Sequence, residues 1–304
     1  MRLIILCGVL LLSACQTPIK APPPQKLITL FDYQLHDAKG QPMTLAEGSA
    51  KLAKADVIMV GELHGHQGVH RFQAELLAQL LTQDKPIALA MEQFSRDNQG
   101  ILNSYLHGEL GEDEFIKRSH AWPSYASDYR PLITLAKQQR LPVIAANAPR
   151  NIVRCIGQQG PDYLKQVSKA QRAWVANHLT LVDDAYKARF MANRHHGKAP
   201  SEHQFAAQTT WDDTMAESIA DFLERQPDHQ VLLTVGRFHV AERLGTVQRL
   251  QQRQPDLKIA VIYPLMPEED TPHADIWTLT VPKLPVARLK DEPLPDFSLG
   301  KPAC

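Results

Sequence analysis

The sequence predicts an α/β domain with a mostly parallel central sheet, flanking helices and an inserted helical section. Two observations predict it. Five short apolar runs recur along the chain, each bounded by turn or polar residues, and amphipathic helical patterns lie between them. The runs are Val57–Val60, Ile87–Met91, Val143–Ala146, Val231–Val235 and Ile259–Tyr263. Their apolarity is continuous rather than alternating, as in strands buried on both faces of a parallel sheet.

Between the first two runs, His66 to Leu81 carries Val69, Phe72, Leu76, Leu77 and Leu80 at helical spacing. Thr209 to Leu223 repeats the pattern with Met215, Ile219, Phe222 and Leu223 ahead of the fourth run. Strands alternating with helices call for crossover connections. The fourth run comes about 85 residues after the third, which makes the section over about 160–208 an insertion. It reads as helices over Pro161–Gln171, Trp174–Phe190 and from Glu202 onward, broken near Gly197 and Pro200. The domain so predicted spans residues 27–282. Residues 283–304 are proline-rich, without a core pattern, and read as a peripheral tail.

The 304 residues hold 33 Lys+Arg against 33 Asp+Glu and 44% hydrophobic side chains, ample for a large core. That composition excludes disorder, collagen and a multi-span membrane protein. Zero net charge argues against nucleic acid as a partner, since phosphate binding needs clustered Lys and Arg. Arg2, the apolar stretch Leu3–Leu12 and the site Leu12-Ser13-Ala14-Cys15 predict a processed signal over residues 1–14. The apolar stretch is too short to span a bilayer. The tetrapeptide resembles the lipobox of bacterial lipoproteins, whose cysteine becomes the lipidated N-terminus. An ordinary secretory signal with an incidental Cys15 is the alternative. Gln16 rather than Asp after that cysteine favours the outer membrane, and residues 15–26, with four prolines, read as a stiff tether. The expectation is a lipid-anchored protein of the cell outer membrane, facing the periplasm. An oxidising compartment permits a Cys155–Cys304 disulfide without requiring one, and no Cys-x-x-Cys spacing supports thiolate zinc.

The chemistry-bearing residues gather just past the strands. The first run is followed by Gly61-Glu62-Leu63-His64, the second by Glu92, the third by Asn147-Ala148-Pro149-Arg150, and the fourth by Gly236-Arg237-Phe238-His239. Ligands of open parallel sheets bind outside the carboxyl ends of the strands. Glu62, His64, Glu92, Asn147, Arg150, Arg237 and His239 are thus expected along one edge. Such groups are costly to bury unless paired, coordinated or facing a cleft. Gly-x-x-His is a weak motif alone, but both copies abut a strand. The competing reading is two loop glycines with solvated or core-bonded histidines. Gly61 and Gly236 are expected to serve turns with positive φ. His64, His239, Glu62 and Glu92 make an N/O set for a divalent metal ion that polarises water. Alternatively, His and Glu act directly as general base and orienting carboxylate. His66 and His70 are expected on one helix face, but Gln67 stands where a zincin carries Glu.

Taken with Met91-Glu92, Ala146-Asn147-Ala148-Pro149-Arg150, Asp213-Thr214-Met215-Ala216, Trp122 and Tyr129-Arg130-Pro131, the two Gly-x-x-His motifs carry a resemblance. Over roughly Val57 to Tyr263 the chain resembles the ChaN-like haem-binding lipoproteins of bacterial haem and iron uptake. Their superfamily also includes Tiki-type metalloproteases, TraB proteins and erythromycin esterase-like proteins. The resemblance implies haem held at a homodimer interface with tyrosine on the iron, and an outer-membrane haem receptor as a further partner. Tyr186 is the favoured ligand on chemistry, because Lys187 to Lys198 contains no acid. Arg189 and Arg194 are expected at the propionates and Phe190 at the ring. Tyr186 and His196 stand about 15 Å apart along a continuous helix. Both reach one iron only across a helix break or from two chains. Tyr129 is the second choice of ligand. An amphipathic helix with solvated cations and a core tyrosine is the bland alternative. The functional expectation is a haem binder without turnover; the alternative is a metal-dependent hydrolase using the strand-end pocket.

Overall fold

A computed structural model describes residues 26–193, 199–270, 275–286, 288–289, 292 and 304. The five apolar runs all become strands. They are β3 (Val57–Glu62), β4 (Ile87–Ser95), β5 (Val143–Asn147), β6 (Gln230–Gly236) and β7 (Ile259–Leu265), with β1 (Gln34–His36), β2 (Pro42–Met43) and β8 (Trp277–Thr280) added at one side. One sheet results, in the order β2-β1-β8-β7-β3-β6-β4-β5. Strands β3 to β8 are mutually parallel where they pair, and β1 runs antiparallel to β8 and β2. The central pair β3 and β6 thus brings both Gly-x-x-His motifs side by side, with Glu62 opposite Gly236.

Helices α1 (Leu45–Leu52), α2 (Gln67–Leu80), α3 (Gln99–Leu106), α4 (Glu112–Arg118) and α5 (Arg130–Gln139) cover one face. On the other face lie α6 (Arg150–Gln159), the short α7 (Lys169–Arg172) and α8 (Ala185–Ala192) of the insertion, then α9 (Glu202–Arg225) and α10 (Thr246–Arg253). The two-residue period of a strand divides β3 between them. Ile58 and Val60 pack with Phe72, Leu76 and Leu77, whereas Val57 and Met59 pack with Met215, Ala216 and Ile219. Each such side chain, fully buried, contributes about 1.5–3 kcal/mol. The sheet is therefore clamped on both faces, and its carboxyl edge is a fixed platform.

Two expectations are corrected. Trp174–Phe190 is not one helix, because side chains capture the backbone that a helix would use. Arg172 binds the carbonyls of Val175, Ala176 and Asn177, and Asp213 takes both the N–H and the hydroxyl of Thr180. A helix starts only at α8, where Asp184 accepts the N–H of Lys187 as its N-cap. From Glu202, by contrast, α9 runs unbroken to Arg225, opened by a Ser201–Gln204 capping box. His66 does not share a helix face with His70; it caps α2, accepting from the N–H of Gly68, while its Nε2 lies 2.7 Å from the carbonyl of Pro282.

Cys304 is bonded to Cys155 of α6, with Cα atoms 5.3 Å apart. No helix among the described residues is long and apolar enough to cross a membrane.

Candidate functional site

Glu62, the last residue of β3, is 1% exposed and saturated with donors. Its Oε1 lies 2.8 Å from Nδ1 of His64 and accepts from Gln93 at 3.0 Å and from the Tyr129 hydroxyl at 2.8 Å. Its Oε2 accepts from Gln73 at 3.0 Å, with Nδ1 of His70 at 3.8 Å. Burial pushes this carboxyl up, but His64, His70 and Gln73 outweigh it and hold it below its ordinary value. His64 is half exposed and stands edge-on to Trp122, with ring centroids 5.2 Å apart. The bond to Glu62 raises the pKa of His64 against its partial burial. Behind it, His70 is buried. Its Nε2 accepts from the N–H of Gly65 at 3.2 Å and lies 3.4 Å from Oδ2 of Asp128. Asp128 and Tyr129 come from a π turn, Tyr125–Tyr129, that leads into α5.

Beside this cluster, Glu92 sits where the register of β4 against β5 shifts between Met91 and Ser95. An irregularity of this kind re-aims a side chain. Its Oε2 accepts from the N–H of Gly236 at 2.5 Å, and its Oε1 lies 3.7 Å from Nε2 of His239. Burial raises the pKa of Glu92, and the charge of Glu62 adds to the effect. His239 ends a single 3-10 turn after β6 and is buried. Its Nδ1 is 2.8 Å from Oδ1 of Asp212 in α9. Burial acts to lower the imidazole, but Asp212 and Glu92 together lift it to about 9.

Two carboxylate–imidazole pairs, Glu62–His64 and Asp212–His239, therefore flank Glu92. Each carboxylate meets Nδ1, so each Nε2 is left on the Glu92 side. A Cβ placed on Gly236 would lie 3.0 Å from Nε2 of His64 and 3.5 Å from Oε2 of Glu92. One on Gly61 would lie 3.0 Å from both Pro264 and Val240. Neither glycine has positive φ. Close approach, not turn geometry, is why these two positions lack a side chain.

Chemically, imidazoles oriented by carboxylates are able to take up and release protons. Among the described residues no group of three or more His, Cys, Asp or Glu side chains is arranged to hold a metal ion. Glu62 already accepts from Gln73, Gln93 and Tyr129 and is paired with His64, so it stands as an orienting carboxylate rather than a free metal ligand.

Of the residues expected at this edge, Glu62, His64, Glu92 and His239 come together. Asn147 supports them from behind, donating to the carbonyl of Glu92 at 3.1 Å and accepting from the N–H of Ala148. Arg150 is exposed at the start of α6. Arg237 turns away to Glu269 at 2.9 Å and lies over the ring of Tyr263. Sequence reasoning missed Asp212, Gln73, Gln93, Thr246 and Arg249. Asp212 had a usable signal, since it precedes Met215 and Ile219 by three and seven residues on the apolar face of α9.

The insertion folds against the same pocket. Tyr186 is 0% exposed, its hydroxyl donates to Oδ2 of Asp212 at 2.5 Å, and the Arg249 guanidinium lies 4.5 Å over its ring. The expected role of Tyr186 as iron ligand conflicts with this position, because its oxygen faces the protein interior. Tyr129, 1% exposed and bonded to Glu62, is in the same situation. Phe190 is half-buried between Phe205 and Phe238, at centroid distances of 5.8 and 6.3 Å. Arg189 pairs with Glu242 and lies over Phe238. Arg194 and His196 lie outside the described residues.

No curated protein matches the chain. Among solved structures it is similar to one of cofacial heme binding to ChaN of Campylobacter jejuni. That match has 17% identity and a TM-score of 0.65, covering 83% of this chain and 98% of that one. At that identity the likeness shows the fold alone. More distant likenesses are to a mutant of the erythromycin esterase EreC in its open conformation (12% identity, TM-score 0.45, 77% of each chain) and to the type III effector HopBA1 (8%, 0.47, 84% of this chain and 98% of that one). Neither carries an argument. The model of the family described as haem-binding uptake, Tiki superfamily, ChaN matches residues 49–250, from α1 through α10, and the chain belongs to that family.

Proposed function

We propose that this protein binds haem in haem or iron uptake, with haem held between two copies of the chain. In this reading a lipid on Cys15 anchors it to the outer membrane, facing the periplasm, where an outer-membrane haem receptor is its further partner. The family match over residues 49–250 carries the reading. The insertion offers surface of the right kind. Leu181 and Val182 are exposed, Phe190 and Met191 are half-buried, and Arg189 stands on the same helix. Exposed apolar groups and a cation within one insertion suit a planar apolar ligand with two propionates, which Arg189 would meet by exchanging Glu242 for a propionate. Arg194 and His196, in the same insertion, are proposed as further contacts. Tyr186 and Tyr129 do not fit the iron as they stand, so no iron–tyrosine bond is assigned.

Hemin titration of the wild type beside His64→Ala and Tyr186→Phe tests this. Saturable Soret shifts of equal midpoint in all three are expected. Loss of the ferric charge-transfer band in Tyr186→Phe alone would show that the phenol reaches the iron after rearrangement. Loss in His64→Ala alone would move haem to the strand edge.

The two carboxylate–imidazole pairs favour a second reading, an acid–base hydrolase. His64, on the exposed side, is placed to take a proton from water at Nε2, and Glu92 is a carboxyl whose acid form burial favours. A panel of chromogenic esters and peptides tests it. Turnover lost in His64→Ala with hemin affinity unchanged supports it; no turnover by the wild type counts against it.

A further inference from the structure

We propose that Asp212 is the positioning residue of His239, and that Tyr186 serves this pocket by clamping Asp212. The inference deepens the acid–base reading of the strand-end pocket and rests on it. The geometry brings three elements onto one carboxylate of α9. Oδ1 lies 2.8 Å from Nδ1 of His239, which follows β6, and accepts from the Thr246 hydroxyl of α10 at 2.7 Å. Oδ2 accepts from Tyr186 of α8 at 2.5 Å. Asp212, Tyr186 and Thr246 are all 0% exposed, so none of these bonds competes with bulk water.

Gly245 shows how tightly the pair is held. It has φ +58°, and a Cβ there would lie 2.5 Å from the carbonyl oxygen of His239 and 3.0 Å from Oδ1 of Asp212. The entry to α10 is thus pressed onto both members at once.

Asp212 also selects the imidazole tautomer. With Nδ1–H directed at Asp212, Nε2 points to Oε1 of Glu92. The amide nitrogen of Gln208 stands 3.3 Å from Nδ1 and 3.1 Å from the Tyr186 hydroxyl. It is a donor, so without the carboxylate it would bond a bare Nδ1 and move the proton to Nε2. The charged and titratable groups facing His239 are Asp212 on α9, Glu92 on β4, His64 after β3, Arg249 on α10 and Tyr186 on α8. Asp212 and Glu92 favour the cation and Arg249 opposes it.

The test is nitrogen-15 NMR of the histidine rings in the whole folded protein, titrated from pH 5 to 10. In the wild type, His239 is expected to stay an imidazolium to about pH 9. Asp212→Asn should lower that midpoint by about two pH units and leave the neutral ring protonated at Nε2. Tyr186→Phe and Thr246→Val each remove a donor that shares the charge of Asp212, so both should raise the midpoint. Neither should alter the ferric hemin spectrum. The opposite signs separate positioning from general loosening of the fold, and the two milder variants keep the test decisive if Asp212→Asn does not fold. A wild-type His239 neutral at pH 7, or one midpoint common to all four proteins, overturns the proposal. Ester turnover by a wild type whose His239 is insensitive to Asp212 would overturn this inference and leave the hydrolase reading intact. The expected titrations without turnover would remove only that reading.

Discussion

The hydroxyl of Tyr129 donates to Oε1 of Glu62 at 2.8 Å, joining a residue expected at haem to one expected in the strand-end pocket. That oxygen also holds His64 and Gln93, so Tyr129 is part of the frame of the pocket. Tyr129→Phe should cost about 1.5–3 kcal/mol, the usual range for a hydrogen bond to a charged group. Urea unfolding reads the loss directly. The hemin spectrum should not change; a lost ferric band would return Tyr129 to the iron.

The two motif glycines should respond differently to alanine. At Gly236 the new methyl meets the His64 ring, which is half exposed and can swing aside. At Gly61 it meets Pro264, Val240 and the Cα of Arg237, none of which is a free side-chain end. Gly61→Ala should therefore destabilise by about 1–3 kcal/mol and Gly236→Ala by less. Gly236→Ala should instead displace His64, which ring-nitrogen NMR detects. Equal losses of stability would contradict the packing described.

Stability should depend on pH with a sign set by His239. Its folded pKa, about 9, is raised above the ordinary 6.5. Its contribution is then complete below about pH 6.5 and lost as pH climbs through 9. Glu62 acts oppositely: its lowered pKa stabilises above its ordinary 4.5, and that support is lost as pH falls through the folded value. Glu92, raised by burial, weakens the fold as pH rises from 4.5 through its own folded value. Melting temperatures from pH 6 to 10 should show an alkaline decline that Asp212→Asn flattens. An equal decline in that variant would contradict the assignment.

The Cys155–Cys304 bond ties the last residue to α6 across 149 residues of sequence. Loop closure over such a length stabilises by about 2–5 kcal/mol. Cys304→Ser, or reductant, should lower the unfolding midpoint by a matching amount. Identical midpoints with and without reductant would rule out a stabilising bond.

Much of this architecture was legible in the chain. Strands β3 to β7 announce themselves because burial on both faces demands continuous apolar runs, and β3 and β6 end in the motifs that place Glu62, His64 and His239. The outer strands β1, β2 and β8 are two to four residues long and carry no such run. The helix expected over Trp174–Phe190 failed for a long-range reason. Asp213, 33 residues beyond Thr180, captures its backbone, and local periodicity does not record that contact. Tyr186 departs from expectation for a similar reason. Its partner Asp212 lies 26 residues away, and only the fold shows that a tyrosine among cations points inward.

Haem binding between two copies is tested most directly by titrating hemin into the protein lacking residues 1–26, reading absorbance and molecular mass at each addition. A Soret shift that saturates while mass rises from one chain to two is the predicted result. A shift that never saturates, on a protein that keeps the mass of a single chain, would contradict it.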